Sequence, residues 1–375
     1  MKQFLKGLKN LPGWRTREKL VIFSVDDYGN VRVDSAQARQ RMIEAGLKLD
    51  NQFDRSDALE TREDLEALFE TLSSVRDVQG LPACFTPYSV CANPDFVRMR
   101  DDHSAYKYEP LIQTFKRLAS SQPAAYEGAW ALWQEGMAEG LLRPQYHGRE
   151  HLNLEFIERK LAARDPILMT ALANDSLTGL EPEPSLPSVG FTAGFAVHDG
   201  NESELEQHRE ILADGLRLFE ETFGFASKTF TPPAMQINPR LYPELESLGV
   251  RAIDKAQRCV RRLDAKTTVR EWNFLGPARG QHHINLVRNV VFEPGKGMVA
   301  DPVGYALGQV EAAFRWRKPA IISSHRVNFC GHIDPNNRQQ GIAALGELLK
   351  GIVKRWPDVR FISADQLVER IEVGA

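Results

Sequence analysis

The sequence predicts an α/β protein built on a mainly parallel sheet, either open or closed into a barrel. Short β-rich runs alternate with long amphipathic stretches through most of the 375 residues. Such alternation is typical of parallel strands joined by crossover helices. The composition, 42% hydrophobic and 26% charged residues, is that of an ordinary globular chain able to bury a sizeable core. It excludes disordered, collagen-like and coiled-coil classes.

The individual elements follow from apolar periodicity. Strands are predicted where β-rich apolar runs occur, at Leu20–Val25, Ala83–Val90, Val189–Val197, Lys228–Thr231, Ala320–Ser324 and Val359–Ser363. Helices are predicted where apolar residues recur at i, i+3 and i+4, at Asp34–Leu47, Asp64–Val75, Ser203–Phe223 and Gln339–Trp356. Ser203 followed by Glu206 predicts a capping box. The Pro-, Ser- and acid-rich stretch Ala171–Ser188 predicts a long loop or lid.

Charge and hydropathy exclude several kinds of partner. The net charge of -3 offers no bulk attraction to nucleic acid or an anionic membrane, so a partner must be recognised locally. No apolar run approaches the roughly 18 residues of a membrane span. The basic N-terminus lacks an apolar signal core, which predicts a mature cytoplasmic protein. Four cysteines without a C-x-x-C pair are expected to be core thiols in a reducing compartment.

The first candidate for chemistry is a pair of adjacent carboxylates, Asp26 and Asp27, followed by a turn at Gly29. They come directly after the apolar run Leu20–Val25, at the carboxyl end of a predicted parallel strand, where α/β folds gather their sites. Because side chains alternate along a strand, one carboxylate can point to a barrel axis with the other beside it. The alternative is a solvated turn in which Asp27 caps the next helix.

The second candidate is a histidine pair, His147 and His151. A spacing of four places both imidazoles on one helical face at metal-chelating distance. Pro144 and Gly148 place His147 at a strand-to-helix turn rather than in a buried core face. The alternative is a pair of capped or surface histidines.

Two further strand ends carry candidates. His325 ends a buried-type strand and is poised to act as an acid or base, although a histidine satisfied by neighbouring backbone is the common alternative. Pro232 and Pro233 end another strand in a rigid turn, which can hold the backbone N–H of Ala234 or Met235 toward an oxyanion.

Together these positions describe a catalytic site rather than separate motifs. Two neutral histidines and one carboxylate, with an open position for water, form a catalytic metal site, and a second carboxylate beside it can deprotonate the water. A histidine on the opposite side can protonate a leaving amine or alcohol. The sequence therefore predicts metal-assisted hydrolysis of an amide or ester.

The order of these motifs resembles that of the NodB-homology polysaccharide deacetylases, which act on acetylated sugars and fold as a distorted (β/α) barrel. The residues that carry the resemblance are S-V-D-D-Y-G at 24–29, H-G-R-E-H at 147–151, F-T-P-P-A at 230–234 and I-S-S-H at 322–325. N-P-D-F at 93–96 and H-L-N at 151–153 are similar to a bacterial surface-polysaccharide branch.

The resemblance implies a role for each matching residue. Asp26 is implied as the general base, His325 as the general acid, and Asp27, His147 and His151 as ligands of a divalent metal, expected to be zinc. Pro233, Ala234 and Asn153 are the candidates for contact with the substrate or its oxyanion. The implied partner is a carbohydrate carrying an N-acetyl or O-acetyl group, with no nucleic acid. A single barrel over residues 1–375 is expected, with insertions at about 91–143 and 155–188.

The chain departs from the family pattern at two places. Thr231 stands where the family has an arginine that supports the base. The D-x-x-D-W motif has no clear counterpart, and Asp254 is a weak candidate for it. These departures put the substrate and the activity itself in question.

Three other functions compete with the deacetylase interpretation. H-G-R-E-H also satisfies the H-x-x-E-H pattern of zinc peptidases, with Glu150 as base, but that motif belongs inside a helix. Non-haem iron oxygenases use two histidines and a carboxylate, mostly on β-sandwich folds. A non-catalytic glycan-binding or assembly protein agrees with Thr231, and Trp130 and Trp133 could stack on sugars there, although their i, i+3 spacing favours a core helix face.

Overall fold

The structure is a computed structural model that describes residues 7–102, 105–181, 190–197, 200–262 and 267–374. The strands in these ranges are β1 (Lys19–Tyr28), β2 (Phe85–Ser89), β3 (Ala92–Pro94), β4 (Tyr108–Pro110), β5 (Gln145–Tyr146), β6 (Thr229–Phe230), β7 (Ala252–Asp254), β8 (Arg258–Arg262), β9 (Thr268–Trp272), β10 (Gly276–Pro277), β11 (Ile284–Leu286), β12 (Val290–Val291), β13 (Ala320–His325) and β14 (Val359–Phe361).

Helices surround these strands. The α-helices in the described ranges are α1 (Ala36–Glu44), α2 (Gln52–Ser56), α3 (Arg62–Ser73), α4 (Phe96–Asp101), α5 (Leu111–Ser121), α6 (Pro123–Tyr126), α7 (Ala129–Ala138), α8 (Leu154–Ala162), α9 (Pro166–Leu172), α10 (Glu202–Phe223), α11 (Tyr242–Ser247), α12 (Pro302–Arg315), α13 (Pro335–Arg355) and α14 (Ala364–Val373). Short 3-10 turns lie at Leu8–Asn10, Pro233–Met235, Pro239–Leu241, Pro294–Lys296 and Arg326–Phe329.

Ten strands form one sheet in the order β10-β11-β7-β6-β5-β2-β1-β13-β12, with β14 beside the start of β1. The pairs are parallel except β10 with β11. β1 is central and its apolar run is buried on both faces. The predicted α/β class with a mainly parallel sheet is confirmed.

The sheet curls until its two ends approach each other. β11 lies near one end of the strand order and β12 lies at the other. Only the segment Val287–Asn289, here called the seam, separates them along the chain. Because each residue spans at most about 3.6 Å, the seam holds the two strands within about 15 Å of each other. The fold is therefore the distorted (β/α) barrel that the sequence predicts.

Most predicted elements occur within a few residues of their predicted bounds, but two predictions are wrong. The described part of Val189–Val197, residues 190–197, forms turns and one isolated bridge between Phe195 and Ile237 instead of a strand. Its backbone bonds are used locally, with the Ala193 N–H donating to the Gly190 carbonyl at 3.0 Å. The N-cap of α10 is Asn201 rather than Ser203.

The predicted loop falls only partly in the described ranges. α9 covers Ala171 and Leu172, residues 173–181 lie in neither helix nor strand, and residues 182–188 lie outside the described part. The preference for a core position of Trp133 is confirmed, since its ring is fully buried and its Nε1 donates to Glu60 at 2.9 Å. Among the described helices, none is both long enough and apolar enough to span a membrane.

Candidate metal centre and active site

Three predicted metal ligands meet at the carboxyl ends of β1 and β5. One ligand atom from each of Asp27, His147 and His151 lies within 4.8 Å of the other two. Asp27 Oδ1 is 3.3 Å from the Nε2 atom of each histidine. All three side chains are buried. This trio can hold a divalent metal ion.

The donor chemistry of the trio fits a metal. His147 Nδ1 lies 2.7 Å from the carbonyl oxygen of Thr231, which can only accept, so Nδ1 carries the proton. In the neutral ring Nε2 then presents a lone pair to the Asp27 carboxylate, and two acceptors face each other unless a cation lies between them. Burial lowers the pKa of His151 to about 4, which keeps the His151 ring neutral. The 3.3 Å from Asp27 Oδ1 to each histidine Nε2 is a spacing that ligands of one divalent metal ion can have.

A β-bulge lets neighbouring carboxylates share the site. The register between β1 and β2 shifts between Val25 and Tyr28. Asp27 has φ of 72°, a left-handed conformation that is uncommon for a residue other than glycine. Strict alternation would send the side chains of Asp26 and Asp27 to opposite faces, and the bulge turns both toward the same end of the barrel.

The histidine pair lies on a loop, so the predicted helical face is wrong. His147 follows β5, and α8 begins only at Leu154, beyond His151. The loop is pinned by its own backbone, because the carbonyl of Arg149 accepts from the N–H groups of Cys91 and Ala92 at 3.0 and 2.7 Å. The ligands converge through this loop rather than through helical spacing.

Asp26 is held by an arginine that no motif identified. Arg288, in the seam, donates to Asp26 Oδ1 at 2.6 Å and to Oδ2 at 2.7 Å. Its Nε donates to Asp254 at the end of β7 at 2.6 Å, and its Nη2 donates to Thr231 Oγ1 at 3.1 Å. Burial would raise the pKa of the Asp26 carboxyl, but Arg288 brings that pKa below its ordinary value. A guanidinium therefore contacts Asp26 although position 231 is a threonine.

His325 ends β13 beside Asp26 and faces the site as a cation. Its Nε2 is 4.0 Å from Asp26 Oδ2, and its Nδ1 is 2.5 Å from Glu293. Burial would lower the pKa of His325, but Glu293 raises it to about 9. Asn328 Nδ2 donates to the other oxygen of Glu293 at 2.7 Å and fixes that carboxylate. The ring is therefore protonated near neutral pH and can give a proton to a leaving group.

The solved structures similar to this chain include polysaccharide deacetylases. One from Mycobacterium smegmatis, described as such an enzyme, is 11% identical with a TM-score of 0.46, covering 97% of this chain and 93% of that chain. Another, from Pseudomonas aeruginosa PAO1, is 9% identical with a TM-score of 0.44, covering 94% and 91%. An allantoinase is 10% identical with a TM-score of 0.45, covering 96% and 93%. No protein-family profile and no curated protein sequence matches the chain.

The residues predicted to contact the substrate, Asn153, Pro233 and Ala234, differ in whether their polar groups are already hydrogen-bonded within the protein. Asn153 is the N-cap of α8, where its Oδ1 accepts from the N–H of Phe156 and its Nδ2 donates to the carbonyl of Ala193. Pro233 is buried in a 3-10 turn, and Ala234, with φ of 55°, is exposed. The N–H of Met235 donates to the carbonyl of Pro232 at 2.7 Å. Of the two N–H groups proposed for an oxyanion, only that of Ala234 remains a candidate.

Glu150 does not occupy the position that the peptidase interpretation needs. Arg149 holds both of its carboxylate oxygens, with Nε at 2.7 Å and Nη2 at 3.0 Å. The residue lies on the loop between β5 and α8, whereas the H-x-x-E-H motif requires a helix.

Sequence reasoning missed Arg288 and Glu293, which lie at the seam and just after β12. Both stand in an irregular stretch between very short strands, where periodicity carries little information. The sequence did contain one indication of such a residue, at Thr231. The family's arginine is missing there, while Asp26, the carboxylate that it would support, is present. A cation from another part of the chain is therefore expected to contact Asp26.

Proposed function

We propose that this protein is a metal-dependent hydrolase that removes an acetyl group from an N-acetylated or O-acetylated sugar or polysaccharide precursor. One observation carries the proposal. Next to the Asp27, His147 and His151 trio lie an ionised Asp26 and a cationic His325, with His325 Nε2 4.0 Å from Asp26 Oδ2. An acid and a base beside a metal-binding trio are what hydrolysis of an acetamide or ester requires.

Asp27, His147 and His151 are the residues that would hold the metal, which we propose to be zinc. Such an ion polarises an acyl carbonyl and lowers the pKa of water. Thr231 takes part through its backbone, because its carbonyl fixes the ring orientation and tautomer of His147.

Asp26 is proposed as the general base. It lies next in sequence to the ligand Asp27, and Arg288 keeps it ionised, so it can accept the proton of the attacking water. The arginine also fixes both carboxylate oxygens, which limits the orientations open to the base. The absence of an arginine at position 231 therefore gives no ground for a non-catalytic role.

His325 is proposed as the general acid. Protonated and held by Glu293, it can donate to the amine or alcohol that leaves as acetate is released. Since Asp26 and His325 carry opposite charges in the resting site, each is already in the protonation state that its role needs.

Acetate release from a panel of N-acetylated and O-acetylated sugars, incubated with the zinc-loaded protein, tests this function. We expect release from at least one sugar and a loss of about 100-fold or more in Asp26→Asn. Glu150→Gln, a second carboxylate near the same histidines, is the matched control and should remain active. Loss of activity in Glu150→Gln with retention in Asp26→Asn would instead establish the peptidase-type base.

A further inference from the structure

A two-stranded hairpin stands beyond the site at the end of β7. Asp254, the last residue of β7, contacts Arg288 in the site, and β8 begins four residues later at Arg258. The N–H of Asn273 donates to the carbonyl of Gln257 at 2.9 Å and closes the base of the hairpin. The hairpin of β8 and β9 therefore begins within four residues of a site contact, and its base also meets the N-terminal segment, since Gln257 Nε2 donates to the Lys9 carbonyl at 2.7 Å.

One face of this hairpin is open to solvent and mixes cations with apolar groups. Arg258 pairs with Trp272, and Val260 pairs with Arg270, and directly opposed residues of an antiparallel pair share a face. All four are exposed, Val260 by 58% and Trp272 by 62%. The opposite face, with Cys259 and Glu271, is partly covered. We call the open set Arg258, Val260, Arg270 and Trp272 the hairpin face.

The hairpin is basic within an acidic protein. Residues 258–272 contain five basic and two acidic residues, a net charge of +3, so the remainder of the chain carries -6. Charged edge strands commonly prevent aggregation, but that role gives no reason for an indole left more than half exposed between two arginines. A local cationic and aromatic face on an anionic protein indicates an anionic ligand.

A second group of cations lies at the site itself. The ring of Phe53 contacts His325 edge-on, with centroids 5.4 Å apart. The Arg32 guanidinium lies 5.0 Å from the centroid of Phe53, and Lys296 Nζ lies 5.4 Å from it. Arg32 Nε is buried without a hydrogen-bond partner, since Asp54 is 3.7 Å away. These positive groups surround an aromatic surface directly beside the proposed general acid.

We propose that the ligand is an acidic polysaccharide, whose chain lies along the hairpin face and whose reacting unit enters the site past Arg32 and Lys296. This inference rests on the proposed function for the identity of the site. The five residues of each strand form a face about 17 Å long, enough for several sugar units. A flat membrane surface could meet the hairpin face, but it could not reach Arg32, whose side chain is only 12% exposed.

Binding of polygalacturonate to the full-length, metal-loaded protein tests the proposal, with dextran as the neutral polymer. We expect polygalacturonate to bind more tightly than dextran and to weaken as salt rises from 50 to 200 mM. Arg258→Gln/Arg270→Gln should weaken binding about tenfold, and Trp272→Ala should weaken it about fivefold. Lys354→Gln/Arg355→Gln is the matched control, because these exposed residues end α13 just before the start of β14, whereas the proposed site lies at the carboxyl ends of the strands.

Several outcomes would overturn the proposal. These are equal affinity for the two polymers, an equal loss in the α13 control, or binding to phosphatidylglycerol vesicles through the hairpin face without binding to polygalacturonate. The assay measures binding rather than turnover. If polygalacturonate binds through the hairpin face but no sugar releases acetate, the proposed hydrolase function is contradicted while the acidic-polysaccharide inference still holds.

Discussion

Arg288 and Asp26 are joined by two hydrogen bonds, 2.6 and 2.7 Å long, although they are 262 positions apart in the sequence. The same guanidinium contacts Asp254, so two buried carboxylates share one cation at the seam of the barrel. This arrangement keeps Asp26 ionised in a buried site.

Replacing the shared cation should disable the base. In Arg288→Gln, burial and the neighbouring Asp254 are no longer offset, so the pKa of Asp26 rises. We expect kcat/KM to fall about 100-fold at neutral pH and the acidic limb of its pH profile to move to higher pH. Arg279→Gln, an exposed arginine elsewhere in the chain, is the control. A folded Arg288→Gln protein with the wild-type profile would show that Asp26 does not depend on this arginine.

An arginine at position 231 should partly restore the activity that is lost in Arg288→Gln. Thr231 Oγ1 lies 3.1 Å from Arg288 Nη2, so its side chain already points to the place that the guanidinium occupies. We expect Thr231→Arg, combined with Arg288→Gln, to recover about tenfold in kcat/KM over Arg288→Gln alone. No recovery, with the fold intact by circular dichroism, would mean that the arginine must enter from the seam.

Glu293 should set the alkaline limit of activity. Because Glu293 raises the pKa of His325 to about 9, the acid is present below that pH and is lost as the pH rises through it. In Glu293→Gln the stabilising charge is removed, so the alkaline limb of kcat/KM should move to lower pH. Glu347→Gln on α13 should leave the limb in place. An unmoved limb in Glu293→Gln would exclude His325 as the titrating acid.

A buried ion-pair cluster beside the site should contribute strongly to stability. Arg326 is 1% exposed and donates to Asp57 at 2.7 Å and to Glu60 at 2.9 Å. Arg326→Met leaves two buried carboxylates without a cation, and should lower the free energy of unfolding by about 3–5 kcal/mol in urea titrations. The exposed Arg315, paired with Glu311 on α12, gives a comparison in which Arg315→Met should cost under about 1 kcal/mol. Equal losses of unfolding free energy in Arg326→Met and Arg315→Met would mean that the structure around Asp57 and Glu60 relaxes or admits water.

The sequence was informative where strands are apolar and end in polar residues. Asp26, Asp27 and His325 could be placed together because parallel strands deliver their carboxyl ends to one edge. The spacing of His147 and His151 suggested a helix, but contacts from Cys91 and Ala92 hold that segment as a loop, and no local pattern contains such contacts.

Arg288, which holds Asp26, could not be predicted from the sequence for a related reason. Arg288 acts through partners 262 and 34 positions away, and β11 and β12 on either side of it are too short to show a period. Only the curling of the sheet brings the seam to β1 and β7. This curvature is a property of the whole sheet, and it decides which cation reaches Asp26.

Metal content tests the central claim most directly. We expect the protein purified without chelators to contain about one divalent metal ion per chain by mass spectrometry, and to lose it in both His147→Ala and His151→Ala. His282→Ala, an exposed histidine outside the site, should keep the metal. Chelation should abolish acetate release, and zinc should restore it at about one equivalent. An active protein without metal, or equal metal content in all three histidine variants, would contradict the proposed site.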